Sequence, residues 1–187
     1  MTTRSFGYTL VTTAFGALAV VWQESDTGPR VQQIFLPSEH TSAENLIQTT
    51  FKAACGHPSA AIAALGEQIQ RFLDGEAAEF DLDVIALDSC SAFQRSVLLA
   101  EFGIPRGWVS TYGRIARRLG VPGAARAVGS ALARNPFPIV IPCHRAVRAN
   151  GELGGYQGGP KMKRALLELE GVDFAQSGSV LMNRVYY

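Results

Sequence analysis

Apolar residues in the first half of the chain follow a strand pattern and then a helix pattern. Two runs rich in β-branched and aromatic residues, AFGALAVVWQ (14–23) and VQQIFLP (31–37), are separated by the turn-like ESDTGPR. This arrangement predicts a β-hairpin. Between Ser59, a candidate N-cap, and Gly75, a candidate stop, apolar residues recur at helical spacing: Ile62, Leu65, Ile69, Phe72 and Leu73. The first half is therefore predicted to be a sheet with a covering helix.

The second half is predicted to be helical in short pieces. SAFQRSVLLAEFGI (91–104) opens on a serine cap and ends at Gly103. KMKRALLELEGV (161–172) reads as a later helix that ends at Gly171 and whose apolar residues include Ala165, Leu166 and Leu169. The glycine-rich loop before it, RANGELGGYQGGP, is the kind of segment in which a backbone approaches another group closely.

Two of the short helices form a candidate helix-turn-helix. STYGRIARRLGV (110–121) places its apolar side chains on one face: Tyr112, Ile115, Ala116 and Leu119. After the tight break GVPG, AARAVGSALARN (124–135) directs Val128 and Leu132 inward. A pair of short helices joined by a glycine-containing turn predicts a helix-turn-helix whose second helix is the recognition helix.

These elements predict an α+β protein with two domains. The first, residues 1–89, is an antiparallel sheet with a helix. The second, residues 90–187, is a helical domain that contains the helix-turn-helix. The boundary is placed near Ser89, where the acidic, extended stretch AAEFDLDVIALDSCS leads into the second region.

Charge divides the chain in the same way. The net charge is only +1, but residues 1–90 carry 4 Lys and Arg against 11 Asp and Glu, and residues 91–187 carry 13 against 5. From Arg106 to Arg148 there are eight arginines, no lysine and no acid. Arg126 and Arg134 lie on the side of the predicted recognition helix opposite to its apolar residues. Such a field predicts either a phosphate-rich partner or a basic face without one.

Composition places the chain among ordinary globular proteins. It has 187 residues, 47% of them hydrophobic and 18% charged. Its three cysteines make no disulfide framework, which favours a reducing compartment, and we expect a cytoplasmic protein, associated with the nucleoid if the source is bacterial or archaeal. The longest early apolar run, Ala14–Trp22, is about half a membrane span, and no membrane partner is expected.

Reactive chemistry is concentrated in NPFPIVIPCHRAV (135–147). The strand-like run Ile139–Ile141 leads to Cys143, His144 and Arg145. A thiol must lose its proton to act as a nucleophile, and a neighbouring base or positive charge promotes that loss. Side chains of adjacent residues point apart in regular structure, so the cysteine and histidine can cooperate only across an irregular turn or through a water molecule. Pro142 predicts that irregularity, and Glu170 is the acid that can be brought back to hold the imidazole.

Cys143 could instead be a metal ligand or an inert core residue. A metal site needs three or four ligands, whereas Cys143 and His144 supply two, so no metal is expected. For the tripeptide alone, an inert buried cysteine is the simpler interpretation.

The flanking segments change that balance. NPFPIVIPCHRAV, TYGRIA, AARAVG and GGYQGG together resemble the O6-alkylguanine-DNA alkyltransferases, over a stretch from about Phe93 to Gly171. The resemblance implies a ribonuclease H-like first domain and a DNA repair enzyme of the methylated-DNA-protein-cysteine methyltransferase type. In such a protein one alkyl group passes irreversibly from guanine O6 to a cysteine, with no cofactor. Whether O4-alkylthymine is also accepted stays open.

The resemblance also implies roles for individual residues. Cys143 would accept the alkyl group, and His144 would act as a base through a water molecule, polarised by Glu170. Asn135 would brace the turn. Tyr112 would help to rotate the nucleotide and donate to the leaving base. The base pocket would be formed by Tyr156, Gly155, Gln157 and Ala146.

The resemblance further implies a partner, double-stranded DNA bound through its minor groove by a monomeric protein. Arg126 would fill the space left by the extruded nucleotide. The remaining contacts would come from Tyr112, Ala125, Ala127, Gly129 and Arg134, since a helix with small side chains can approach DNA closely. Two positions, Trp108 and Pro160, depart from the family's usual pattern.

Two competing functions are considered. The first is an alkyltransferase-like protein that binds lesions without transfer, although such proteins have replaced the acceptor cysteine that is present here. The second is a plain helix-turn-helix regulator, which leaves Asn135, Cys143, His144 and Glu170 without a role.

Overall fold

The structure, a computed structural model, describes residues 6–37, 41–56 and 59–187. The chain forms two compact units, the first made of residues 1–89 with 136–140, the second of residues 90–135 with 141–187. Residues 136–140, which the sequence pattern assigned to the second domain, group with the first unit. The domain boundary at residue 89 stays a prediction.

The first unit is built on a four-stranded sheet of order β3-β2-β1-β4. Its strands are β1 (Phe6–Thr13), β2 (Gly16–Ser25), β3 (Gly28–Phe35) and β4 (Cys55–Gly56). The predicted hairpin is confirmed as β2 and β3, and β1 pairs antiparallel with β2. β4 pairs parallel with β1, so the sheet is mixed and not wholly antiparallel as predicted. The α+β class is confirmed.

The middle of the central strand β2 is buried on both faces. Leu18 to Trp22 in β2 are all buried, as expected for a strand covered on both sides. Ala19 and Val21 pack with α1 (Ala43–Thr50) on one face. On the other face Val11, the cross-strand neighbour of Leu18, lies against α2 (Ala60–Leu73), where a Cβ added to Gly66 would be 3.0 Å from it. The predicted helix is α2, with all five expected apolar residues buried; α1 was not predicted.

The second unit contains four helices and two short parallel strands. These are α3 (Ala92–Phe102), β5 (Ser110–Thr111), α4 (Tyr112–Arg118), α5 (Ala125–Ala133), β6 (Ala146–Val147) and α6 (Gly159–Leu169). Ser91 and Thr111 cap α3 and α4 through their hydroxyls. α4 packs against α5 across a turn in which Gly120 and Gly123 have positive φ. This arrangement is the predicted helix-turn-helix.

The predicted later helix is α6, and its buried side includes a lysine. Met162, Lys163, Leu166 and Leu167 are buried, whereas Leu169 is 38% exposed. Lys163 can be buried because its ammonium group finds hydrogen-bond partners. Pro160 lies in the first turn of α6, where a missing backbone N–H costs nothing.

The last residues run along the start of α4. Val185 forms a parallel bridge with Val109, and Tyr186 N–H donates to the Val109 carbonyl. Trp108 packs edge-on against Tyr186, with ring centroids 6.3 Å apart. Arg114 donates to the Tyr187 carbonyl, and Arg118 lies over the Tyr187 ring. None of the helices within the described residues is long and apolar enough to cross a bilayer.

Candidate active site

The predicted strand before Cys143 is instead a turn. Residues 139 and 140 adopt turn conformation, and Ile139 has a φ of 74°, which is strained for a β-branched side chain. The strand prediction for Ile139–Ile141 is therefore wrong; burial of the side chains here comes from an irregular segment.

A tight turn at Pro142 positions the thiol. Pro142 has φ −79° and ψ 59°, and Cys143 N–H donates to the Ile141 carbonyl at 2.8 Å, which is the geometry of an inverse γ-turn. Residues Cys143–Arg145 then form a 3₁₀ turn. The Asn135 amide donates to the same Ile141 carbonyl at 3.1 Å. The break in regular structure predicted at Pro142 is present, and Asn135 is tied to the turn that carries Cys143.

Behind the thiol, Glu170 binds two basic side chains at once. Its Oε1 lies 2.9 Å from His144 Nε2 and 2.7 Å from an Arg145 guanidinium nitrogen. Arg145 Nε donates to Oε2 at 2.9 Å, and its Nη1 donates to the Ile104 carbonyl at 2.5 Å. Both the His144 and Glu170 side chains are fully buried. The sequence suggested Arg145 as positive charge for the thiol, whereas the structure uses it to hold Glu170.

The pKa values of this cluster favour neutral imidazole and ionised carboxylate. Burial lowers the pKa of His144 more than its hydrogen bond to Glu170 raises it. Burial alone raises the pKa of Glu170, but hydrogen bonds and charge from His144 and Arg145 bring it down to about 2. A carboxylate only accepts hydrogen bonds, so His144 donates through Nε2–H, and the basic lone pair lies on Nδ1.

The Cys143 thiol is protonated in this resting arrangement. Cys143 is 5% exposed, and burial raises the pKa of its thiol to about 12. A hydrogen bond from Asn135 and the charge of Lys163 lower it, and the Glu101 carboxyl raises it further. A base must therefore take this proton if Cys143 is to act as a nucleophile.

Lys163 is a fully buried cation that joins two backbone segments through three carbonyls. Its ammonium group donates to the carbonyls of Ala146 at 2.7 Å, Leu153 at 2.5 Å and Gly155 at 3.3 Å. Burial lowers its pKa to about 8, while Cys143 and Glu101 act in the opposite direction. The side chain thus connects the segment after Cys143 with the glycine-rich loop.

Glu101 is a buried acid that the chemistry of the turn does not use. It lies in α3, is fully buried, and neither carboxylate oxygen has a well-formed hydrogen bond within the described residues. Burial raises its pKa to about 8, despite the opposing charges of Lys163 and Arg145 and the Ala146 backbone. The carboxyl group is therefore mostly protonated at neutral pH.

A cavity of about 380 Å³ opens onto the thiol. Its lining residues are Tyr112, Gly129, Leu132, Ala133, Cys143, Arg148, Gly154, Gly155, Tyr156 and Gln157. The Tyr156 hydroxyl has no hydrogen-bond partner within the described residues, and its ring stands edge-on to His144 at 6.3 Å. Its pKa, like that of Tyr112, is raised by burial. The volume of the cavity and its aromatic walls suit a planar aromatic ring such as a nucleobase.

Glycine at position 154 allows the loop to approach Tyr112. Gly154 has a φ of 69°, and a Cβ added there would lie 2.6 Å from the Tyr112 hydroxyl. Gln157 is held on the other side of the cavity, where its amide donates to the Asn135 carbonyl at 2.7 Å. Three expected pocket residues, Gly155, Tyr156 and Gln157, thus line the cavity. Ala146 instead lies fully buried in β6, where its carbonyl binds Lys163.

The residues expected to contact DNA lie along α5 and its end. Arg126, Ala127 and Arg134 are exposed, and Ala125 is half-buried. Gly129 lines the cavity close to Tyr112, where a Cβ would come within 3.7 Å of the ring. Tyr112 begins α4 and so belongs to both the cavity and the helix-turn-helix.

Sequence patterns did not point to Glu101, Lys163 or Arg148. A charged residue in an amphipathic helix is normally placed on the solvent side, so periodicity assigns the wrong environment to the first two. Arg148 was counted in the arginine field, but its position at the cavity depends on the fold. Within the described ranges, no three Cys, His, Asp or Glu side chains are grouped so as to hold a metal ion.

Comparison with known proteins connects this site to a family. The family model described as 6-O-methylguanine DNA methyltransferase, DNA binding domain, matches residues 92–172. A methylated-DNA–protein-cysteine methyltransferase of Methanothermobacter thermautotrophicus is 50% identical over 115 residues, which cover 62% of this chain and 64% of that relative. The match therefore spans slightly less than two thirds of the curated relative.

Solved structures match over more of the chain. The crystal structure of Mycobacterium tuberculosis OGT in complex with DNA is 36% identical, with a TM-score of 0.69, and the match covers 88% of this chain and 92% of that one. The O6-methylguanine-DNA methyltransferase of Pyrococcus kodakaraensis matches with 25% identity and a TM-score of 0.54, over 89% and 99% of the two chains. The chain therefore belongs to the 6-O-methylguanine DNA methyltransferase family.

Proposed function

We propose that this protein repairs O6-alkylguanine in double-stranded DNA by moving the alkyl group to Cys143. The observation that carries the proposal is the position of one buried thiol at an aromatic cavity, with an orienting His144–Glu170–Arg145 cluster behind it. A thiol in this position cannot reach a base inside a duplex. The nucleotide must be extruded, at a cost of a few kcal/mol.

The transfer is a single displacement. The sulfur of Cys143 forms a bond to the alkyl carbon while the bond between that carbon and guanine O6 breaks. The thiol proton passes to His144 Nδ1, through a water molecule, and the imidazolium is stabilised by Glu170. The departing guanine receives a proton from the Tyr112 hydroxyl. The Tyr112 phenolate then takes up a proton from water and His144 releases the one that it received, so the thiol proton is replaced by the alkyl group and the other side chains return to their starting state. Because the thiol proton leaves during the attack, a resting thiol with a pKa of about 12 can still react.

The arrangement supports one turnover for each molecule. The thiolate of an S-alkylated cysteine is a poor leaving group, so the alkyl group would remain on Cys143. The protein would bind the duplex as a monomer and place α5 in the minor groove. The exposed Arg126 and the small side chains beside it fit this placement of α5. Exposed arginines supply phosphate contacts that do not depend on sequence.

The test is the intact mass of the protein after incubation with a duplex that carries one O6-methylguanine. We expect a stoichiometric gain of one methyl group, which Cys143→Ala abolishes. Cys90→Ala is the matched control, since Cys90 is also buried, and it should keep the gain. Lesion-specific binding without a mass gain would indicate a lesion-binding protein. Equal binding of damaged and undamaged duplex, again without a gain, would indicate a regulator.

A further inference from the structure

Arg148 stands at the edge of the cavity in a fixed backbone setting. It follows β6 directly, its N–H donates to the Glu152 carbonyl at 2.9 Å, and its carbonyl accepts from Gly151 N–H at 3.0 Å. These two bonds hold the main chain in a closed turn. The side chain is 61% exposed but still lines the cavity onto which Cys143 opens. Its guanidinium is therefore available both to solvent and to a molecule that enters the cavity.

The charge of Arg148 is unusual in this place. Among the described residues that line the cavity, it is the one with a charged side chain; the others are aromatic, aliphatic, glycine, cysteine or glutamine. It is also close enough to Tyr112 to lower the pKa of that phenol against the effect of burial. A neutral, aromatic cavity with one cation at its edge is suited to a ligand whose inner part is a neutral ring and whose outer part is anionic.

The present partner of Arg148 is weakly held. Arg148 Nη1 lies 2.6 Å from Glu152 Oε2, but the two side chains are 61% and 51% exposed. An ion pair with this exposure contributes little stability, because water and salt screen it. A phosphate oxygen pair, which matches the planar guanidinium in two hydrogen bonds, can displace the carboxylate at small cost.

We propose that Arg148 binds a phosphate of the extruded nucleotide at the edge of the cavity, exchanging Glu152 for the phosphate. The inference rests on the proposed function, since it needs a nucleotide whose base enters the cavity. It gives Arg148 a positioning role, distinct from a phosphate contact elsewhere on the duplex. The guanidinium fixes the sugar-phosphate end while the base carries the alkyl group toward Cys143.

The experiment separates the base from its phosphates. Rates of benzyl transfer are measured by intact mass with O6-benzylguanine, with O6-benzyl-2′-deoxyguanosine, and with the 3′,5′-bisphosphate of that nucleoside. Arg148→Ala should react with the first two within about twofold of the wild type and with the bisphosphate roughly tenfold more slowly. Arg148→Lys, which keeps the charge and loses the planar fork, should fall between the two.

Two matched variants separate the phosphate contact from the loss of the ion pair and from a general loss of positive charge. Glu152→Gln breaks the same ion pair but leaves the guanidinium, so it should keep the wild-type gain from the phosphates. Arg71→Ala removes an arginine from a similarly exposed pair with Glu76, at 61% and 56% exposure, and should leave all three rates unchanged. An equal loss with all three substrates in Arg148→Ala, or an undiminished rate with the bisphosphate, would overturn the inference.

Binding distinguishes this inference from the proposed function. If wild-type protein gains no methyl group from the duplex that carries O6-methylguanine, the proposed function fails. The phosphate contact of Arg148 is then tested by measuring binding to the Cys143→Ala protein. In that protein Arg148→Ala should weaken binding of the bisphosphate roughly tenfold and leave binding of the nucleoside unchanged. Equal affinities for the bisphosphate with and without Arg148 would refute the phosphate contact.

Discussion

Single residues in the second unit show how buried charge is used around Cys143. Glu170 is ionised and held by three groups, including the Gly107 N–H at 3.4 Å, while Lys163 is satisfied by three carbonyls. Glu101 has no comparable set of partners within the described residues. A buried ionisable group without such partners makes stability depend on pH, because its charged form is disfavoured only in the folded state.

Glu101→Gln should therefore change the pH dependence of stability. In the folded protein the pKa of Glu101 is raised from 4.5 to about 8. The contribution of this group to the free energy of unfolding is therefore fully present below pH 4.5 and is lost as the pH rises to about 8. The loss is on the order of 1.4 kcal/mol for each pKa unit. Glutamine has the same shape and does not titrate. The free energy of unfolding by urea, measured from pH 5 to 9 for both proteins, should show a difference that grows in favour of Glu101→Gln.

The difference between the two proteins is the quantity to compare. His144 titrates in both, and its effect cancels when one curve is subtracted from the other. Lys163, whose pKa Glu101 helps to raise, titrates differently in the two proteins and adds to the difference near pH 8. A constant difference across this range would contradict the pKa that burial imposes on Glu101.

The sequence predicts which side chains meet at Cys143 better than it predicts what surrounds them. Cys143, His144 and Glu170 were grouped from chemical need, and the structure brings them together because the end of α6 returns to the 3₁₀ turn. The burial of Glu101 and Lys163 could not be read from the sequence. Their environment depends on which carbonyls and charges the tertiary fold brings near them, and periodicity alone places such residues in solvent.

Individual elements were predictable where local signals were strong. A serine cap and a glycine stop predict α3, and helical periodicity on either side of a glycine-containing break predicts α4 and α5. β4 has two residues and therefore no periodicity to detect, and it exists only because β1 provides a partner. At Ile139 the sequence predicts a strand, because a run of β-branched residues is typical of strands. The positive φ that makes this segment a turn is set by the surrounding packing, which the sequence pattern does not show.

Within α5, Arg126 is the residue whose removal should separate duplex from free substrate. It is exposed in the first turn of the helix, and its neighbour Ala127 is small and exposed as well. Arg126→Ala should react normally with free O6-benzylguanine, which needs no extrusion, and at least about tenfold more slowly with an alkylated duplex. Alanine favours the helical state, so α5 should stay folded.

Arg117→Ala is the comparison for Arg126→Ala, because Arg117 is an exposed arginine on α4. It should lose only a phosphate contact and slow the duplex reaction less. The two rates with each substrate decide the point: an equal loss on free base and duplex in Arg126→Ala would refute its role in extrusion.

Across the whole molecule, fewer arginines are available to contact a duplex than the sequence count for residues 106–148 suggests. Within residues 106–148, all of which the structure describes, Arg145 is committed to Glu170, and Arg106 and Arg114 donate to backbone carbonyls. The exposed arginines are Arg117, Arg118, Arg126, Arg134 and Arg148. Only exposed guanidinium groups can replace the counterions of a duplex.

The salt dependence of duplex binding should reflect those five arginines. A plot of log affinity against log salt concentration should have a slope no steeper than about −4.5, at about −0.9 for each phosphate neutralised. Binding to an undamaged duplex between 50 and 200 mM salt measures it. A slope near −7 would require about eight phosphate contacts, more than the five exposed arginines of this segment can make.

The segment before Cys143 limits which parts of this protein can be exchanged with those of a relative. Phe137, Ile139 and Val140 are buried members of the first unit, and the Pro136 carbonyl accepts from Ile34 N–H at 2.7 Å. Cys143 follows only three residues after Val140. A chimera that replaced residues 1–89 with an unrelated domain would leave these side chains in water, three to six residues before Cys143 in the chain. The second unit therefore cannot be transferred alone, and exchange between relatives has to keep residues 1–89 and 136–140 together.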